Sequence, residues 1–411
     1  MADTENNKNS NSPASTSAPA LRFPVFTEPW QKSPLNHFAK KITRKNKDNS
    51  ISNILSNSAN LGVIPQSDYF DRDIANRENT DGYYVIEHGD FVYNPRKSVT
   101  APFGPVNIYE GQEIGIISPL YLCFQVSGIE PTYLRMFFKG RSWHRFIYEN
   151  GDSGVRHDRV SIKDDLFLQL PVSYPTKEEQ CKITALLSLL DERIATQRRL
   201  IEDFISLRRA ILQDAIKRGL SKKSWKFTTL NDILTERGER NSDGYDVCSV
   251  SVSEGVVNQI EYLGRSFAAK ETRQYNVARY GDIIYTKSPT GSFPYGIVKR
   301  DTQKEPAAIS PLYGVFVPKQ DWIGMLLGYY FESEVNTFNY LHPIIQKGAK
   351  NTINITNSGF LANSVPLPSN ESEASALAKC LDTITNKIVL EKSVLTHYTE
   401  QREYLLSKMF V

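Results

Sequence analysis

The chain has 411 residues, 40% hydrophobic and 23% charged, proportions that suit a folded protein of two or more domains and exclude a wholly disordered one. Lys and Arg total 49 against 46 Asp and Glu, so the net charge of +3 excludes a uniformly basic surface and leaves local basic patches as the route to a nucleic acid. No stretch approaches the roughly 18 continuous apolar residues of a membrane span.

In chain order, 1–20 is Asn-, Ser-, Ala- and Pro-rich and is expected to be a disordered tail, without the charged and apolar regions of a signal peptide. Residues 21–172 mix β-branched and aromatic residues with Gly, Pro, Asn and Asp punctuation, which predicts short strands and loops, with a short helix over 132–146. A Pro-rich stop at 170–175 precedes a run without Gly or Pro, predicting a long helix within 173–219. Thr176 is its expected cap, Glu178 and Glu179 lie in its first turn, and Gly219 would end it. Residues 220–367 return to the strand-rich pattern, with alternation over 247–252 and a short helix over 322–340. A second long helix is expected over 368–411, capped by Ser369.

The chain is thus written twice, at an offset drifting between 192 and 195 residues. Trp30 and Leu35 recur as Trp225 and Leu230. Gly62-Val63, Gln66, Tyr69 and Arg72 recur as Gly255-Val256, Gln259, Tyr262 and Arg265. Gly89-Asp90-Phe91-Val92-Tyr93 returns as Gly281-Asp282-Ile283-Ile284-Tyr285, and Ile117-Ser118-Pro119-Leu120-Tyr121 returns unchanged as Ile309-Ser310-Pro311-Leu312-Tyr313. In the first long run a 4-3 spacing marks an apolar seam through Leu187, Leu190, Ile194, Ile201, Phe204 and Ile211. The second run has Leu381, Ile384, Ile388, Leu395, Tyr398 and Leu405 at matching positions. Polar residues interrupt both seams at equivalent places, Gln197 and Arg208 in one, Glu391 and Arg402 in the other. Antiparallel packing is expected to cross them, Gln197 against Arg402 and Arg208 against Glu391. The predicted class is α+β: two pseudo-repeated, strand-rich globular domains joined by two long antiparallel coiled-coil helices.

This order, with the duplicated Gly-Asp and Ser-Pro-Leu-Tyr strings, Leu170-Pro171, Glu178-Glu179-Gln180 and Leu190-Asp191-Glu192-Arg193-Ile194, resembles the specificity (S) subunit of a type I restriction–modification enzyme over residues 21–411. The second helix departs from the pattern at its start, where Ser372-Glu373-Ala374 replaces Glu178-Glu179-Gln180. The resemblance implies target-recognition domains at 21–172 and 220–367, each reading half of a split DNA target, and spacer helices at 173–219 and 368–411. It implies a cytoplasmic, non-catalytic chain that recruits two methyltransferase subunits and then motor/nuclease subunits. Those partners would bring S-adenosylmethionine, ATP and magnesium, with no cofactor in this chain. A related type II specificity subunit, or a repeat scaffold without DNA binding, remains an alternative.

The residues themselves carry no recognisable catalytic constellation. The sequence lacks a phosphate-loop string and a His-Glu-x-x-His pair, and Asn94-Pro95 is followed by Arg96 rather than the second proline and aromatic of amino-methyltransferases. Cys123, Cys181, Cys248 and Cys380 are too scattered for a zinc knuckle or disulfide framework. Basic residues are the better signal. Arg44, Lys45, Arg96, Lys97, Arg141, Arg156 and His157 in the first copy, and Arg237, Arg240, Lys287, Lys347 and Lys350 in the second, are the candidate DNA contacts. Arg156 and Lys350 are equivalent under the repeat, which makes them the foremost pair.

Overall fold

The computed structural model describes residues 18–69, 80–152, 158–265, 271–347 and 353–411, so nearly all of the expected tail lies outside it. The chain divides into two units, Met1–Thr196 with Leu395–Val411, and Gln197–Val394, so each unit holds part of both long helices.

In the first unit an antiparallel sheet runs in the order Ala39–Lys41, Leu122–Val126, Phe91–Tyr93, Val106–Ile108. Its central strand is apolar throughout because both faces are covered. Phe91 and Tyr93 join Tyr133, Leu134, Met136 and Phe137 of helix Pro131–Lys139, while Val92 joins Leu55, Ile86 and Ile117 of a second sheet. That second sheet has the order Gly62–Pro65, Ile54–Ser58, Gly115–Ile117, Tyr84–Ile86, with one parallel pair. A ribbon of Gln31–Pro34 and Pro171–Tyr174 leads into the first long helix.

In the second unit the central sheet is Leu234–Glu236, Gly314–Pro318, Ile283–Tyr285, Val298–Arg300. Ile283 and Tyr285 pack with Ile323, Leu326 and Leu327 of helix Asp321–Tyr330, and Ile284 packs with Val256, Ala278 and Ile309 on two further ribbons, Cys248–Ser251 with Gly255–Asn258 and Asn276–Ala278 with Ala307–Ile309. A ribbon of Trp225–Thr229 and Ser364–Pro368 leads into the second long helix.

Several boundaries differ from the sequence expectation. The helix expected over 132–146 is two, Pro131–Lys139 and His144–Asn150. The break falls at Gly140, where the Trp143 indole donates to the carbonyls of Phe138 and Gly140, both at 3.1 Å. The one over 322–340 is also two, Asp321–Tyr330 and Glu334–Leu341, and the Ser333 hydroxyl caps the second. The first long helix is Lys177–Ser221, since 171–174 is committed to its ribbon. Gly219 does not end it but lies inside, under Trp225: a Cβ there would come within 1.9 Å of the Trp225 Cδ1. The second long helix is Glu371–Met409, capped by Asn370 rather than Ser369, with the Asn370 side-chain Oδ1 accepting from the Ser372 and Glu373 amides.

Along both long helices the seam residues face inward. Leu187, Leu190, Ile194, Ile201, Leu381 and Ile388 are buried, as are Gln197, Arg208 and Glu391, while Phe204, Ile211, Ile384, Leu395, Tyr398 and Leu405 are half-buried. The expected crossed register is not formed. In the second unit the Gln197 amide donates to the Glu391 carbonyl at 3.0 Å and to its carboxylate, and Arg208 reaches Thr385 at 2.6 Å. In the first unit Arg402 binds Asp191, and Arg193 reaches the Tyr398 hydroxyl. The helices therefore run antiparallel but slipped by about two turns from the expected pairing. The physical reason is that each arginine finds an acidic or hydroxyl partner elsewhere, Asp191 for Arg402 and Glu332 with Thr385 for Arg208, while the Glu391 carboxylate is taken by Lys387 at 2.5 Å and by Gln197.

Candidate nucleic-acid interface

Each unit builds a hairpin entered through a turn that carries the recurring Gly-Asp string. Gly89 and Gly281 have φ of 91° and 92°, a left-handed conformation that favours glycine. The next residue caps the turn: Asp90 accepts the Glu87 amide at 2.7 Å, and Asp282 accepts the Arg279 amide at 2.8 Å. Tyr93 and Tyr285 end the strand, and each hydroxyl reaches into the hairpin, donating to the carbonyl of Phe103 at 3.0 Å or Tyr295 at 2.8 Å. Gly104 and Gly296 close the loops, again with positive φ; a Cβ on Gly104 would strike the Asn94 carbonyl. In the first unit a buried amide network adds rigidity. Asn57 donates to Val92, Asn94 to the Asn57 carbonyl, and Asn107 to the Asn57 side chain.

The first hairpin presents two expected cations. Arg96 is exposed, 3.9 Å from Asp158, with its amide held by Asn94; Lys97 is half-buried, with its amide on the Asp158 carbonyl. In the second hairpin Lys287 is half-buried with φ of 58°, and burial lowers its pKa from the ordinary lysine value. Arg141 is exposed between helices Pro131–Lys139 and His144–Asn150, with no ion pair among the described residues.

Other candidates are occupied by the fold. Arg237 is bidentate to the buried Asp282 carboxylate at 2.6 and 2.9 Å and also reaches Glu239, which makes it part of the turn's framework. Arg240 binds the Asn276 side chain and the Gln274 carbonyl. Arg44 pairs with Glu87 at 2.8 Å on the surface, and Lys45 lies 5.5 Å from the Tyr84 ring centre. Arg156, His157 and Lys350 lie outside the described residues, as does the side chain of Lys347.

Two features of the framework had a signal in the repeat whose meaning only the structure supplies. Glu179, in the first turn of the first long helix, is fully buried. It accepts two bonds from Arg22, at 2.8 and 2.7 Å, and one from the Trp30 indole at 3.4 Å. In the second unit the Trp225 indole likewise donates to Glu373 at 3.2 Å. The recurrence of tryptophan thus marks a Trp–Glu contact at the start of each long helix.

Among the described residues no group of three or more His, Cys, Asp and Glu is placed to hold a metal, and no helix is long and apolar enough to cross a membrane. No family model matches the sequence, and no curated protein matches it significantly. The fold does match solved structures. The chain is similar to the S subunit of a type I restriction–modification system from M. genitalium, with 13% identity, 96% of this chain and 99% of that one covered, and a TM-score of 0.56. It is also similar, at 14% identity and a TM-score of 0.51, to a chain of a type I system solved for its complex assembly and conformational transition, covering 93% of this chain and 98% of that one. The architecture is therefore that of a restriction–modification S subunit. At this identity the likeness fixes the fold alone.

Proposed function

We propose that the chain is the non-catalytic DNA-specificity subunit of a type I restriction–modification complex in a bacterial cytoplasm. Each strand-rich domain reads one half of a split target in double-stranded DNA, and the long helices set the spacing and recruit two methyltransferase subunits. Motor/nuclease subunits complete the assembly; S-adenosylmethionine, ATP and magnesium are held by those partners.

The observation that carries this reading is the hairpin of each unit. Strands Phe91–Tyr93 and Val106–Ile108 bracket a loop of twelve residues, and so do Ile283–Tyr285 and Val298–Arg300. The turn, the tyrosine lock and the closing glycine are common to both, while the loop sequences differ. One frame carrying two different polar loops suits two different half-sites. Arg96 and Lys97 in the first loop, and Lys287 in the second, supply phosphate contacts that orient the duplex.

Selection of duplexes from a random pool by the full chain, followed by sequencing, tests the reading. A two-part sequence with an unread gap is expected. Equal recovery of all sequences would overturn it and would fit a scaffold instead.

A further inference from the structure

The first unit contains a cleft of about 790 Å³. Its walls are the hairpin loop from Val99 to Val106, the junction between helices Pro131–Lys139 and His144–Asn150, and the last turns of the second long helix. Lys139, Arg141, His144 and Arg402 face it, against the exposed Glu400 and Glu403.

The cations are poorly compensated. Lys139 donates to the Asn107 amide oxygen at 2.9 Å rather than to a carboxylate. Burial, then Arg402 and Arg135, push its pKa below the ordinary lysine value, and burial and Arg141 do the same to His144. Arg402 alone is paired, with Asp191. An arriving anion would relieve this repulsion, and the open cleft lets it reach Lys139 and Arg141 together.

The second unit treats the corresponding junction in the opposite way. Between helices Asp321–Tyr330 and Glu334–Leu341 stands Glu332, an acid where the first unit has Arg141. Glu332 binds Arg208 at 2.6 Å and favours the charged form of the half-buried Lys299, while the Tyr329 ring lies 5.0 Å from the Arg208 guanidinium. Here the cations are neutralised from within.

We infer that the first unit's cleft receives a backbone phosphate of bound duplex DNA through Lys139, Arg141 and Arg402, and that the second unit has no such contact at its corresponding junction. The inference rests on the DNA-binding reading above and adds to it. The duplex is gripped unequally, and a residue of a long helix takes part in the grip.

Binding of the full chain to a mixed-sequence DNA duplex across a salt series tests this, alongside calorimetric titration of inorganic pyrophosphate without DNA. Arg141→Ala and Lys139→Ala should each lower the slope of log affinity against log salt, and together by about 0.9, the value of the one phosphate they share. Lys139→Arg should keep the slope, and Lys299→Gln in the second unit should leave it unchanged. An unaltered slope in both Ala variants overturns the inference. If those variants instead lose pyrophosphate binding while the slope stands, the occupant is a small phosphate compound and the duplex contact is refuted. A reduced slope in Lys299→Gln refutes the asymmetry. If the unaltered chain binds no duplex at any salt, the proposed function fails, and pyrophosphate binding abolished by Arg141→Ala would still identify the cleft as a phosphate site.

Discussion

Replacing Asp301 by asparagine should stabilise the second unit at neutral pH and not at acid pH. The Asp301 carboxyl is fully buried, and the described residues offer its Oδ2 no hydrogen-bond partner, while Oδ1 accepts the Gln303 amide at 2.9 Å. Burial first, and then Asp282, raise its pKa from 3.8 to about 6. Because the folded value lies above the unfolded one, the proton is bound more tightly in the folded unit. The stability this provides is complete below about pH 4 and is lost as pH rises through about 6. A shift of this size is worth about 3 kcal/mol at full effect. Asparagine keeps the acceptor for Gln303 and carries no charge at any pH. At pH 8 it should therefore raise the unfolding temperature by about 6–10 °C, and by progressively less below pH 6. Thermal unfolding of both chains at several pH values, with hydrogen exchange in strand Val298–Arg300 to localise the change, is the assay. An equal gap at pH 5 and pH 8, or a loss of stability in Asn at pH 8, would refute the argument.

Three further outcomes follow from the geometry. Glu179→Ala strands Arg22 and the Trp30 indole and should cost about 3 kcal/mol in urea unfolding, whereas Glu179→Gln keeps an acceptor for Trp30 and should cost less; equal losses would show that the indole contact contributes nothing. Arg96→Ala should lower the salt slope of DNA binding by about one unit with little change in stability, while Arg237→Ala should destabilise the chain by leaving Asp282 buried and unpaired and leave the slope intact; the reverse pattern would exchange their assigned roles. Four helix-forming residues inserted after Thr196 and four more after Val394, where both helices pass from one unit to the other, add about 6 Å to each; methylation mapping should then find both half-sites unchanged and the gap longer by one or two base pairs, since base pairs rise about 3.4 Å. An altered half-site with the old gap would sink the ruler function of the helices.

The sequence made the long helices legible because their signal is local and periodic: a Gly/Pro-free run and a 4-3 seam suffice to place Leu187 or Ile388 inside. Their register was not legible. It depends on Asp191, Glu332 and Thr385, which lie off the seam and, for Glu332, on another element altogether. Gly219 misled for a related reason. Its helix-ending meaning is a backbone propensity, overridden by the packing of Trp225 six residues later. The basic candidates show the same limit. Arg237 and Arg141 look alike in the sequence, but one is locked onto Asp282 and the other stands exposed, and only the carboxylates around them distinguish framework from interface.

What the two halves share and what they do not can therefore be assigned to different tasks. Gly89 and Gly281, Asp90 and Asp282, and Tyr93 and Tyr285 recur because the hairpin needs a left-handed residue, a turn cap and a hydroxyl of the right reach. Trp30 and Trp225 recur because a carboxylate at each helix start binds an indole. Ser118 and Ser310 recur because each caps its own turn, accepting the amide of Leu120 or Leu312 at 3.3 Å. Those positions explain the repeat without any reference to DNA. Between them lie the two loops of twelve residues, equal in length and largely unlike in sequence; Asn94, Thr286 and Phe293 are buried into the frame, while residues such as Arg96, Ser98, Ser288 and Ser292 are exposed. A frame that fixes the ends of a loop but not its side chains can acquire a new half-site by changing loop residues alone, at little cost to stability. Exchanging residues 95–105 for the sequence of 287–297, with Asn94 kept in its buried network, should then leave the first unit folded and carry part of the second half-site's base preference with it; a folded chimera with the original preference would place base reading outside the hairpins.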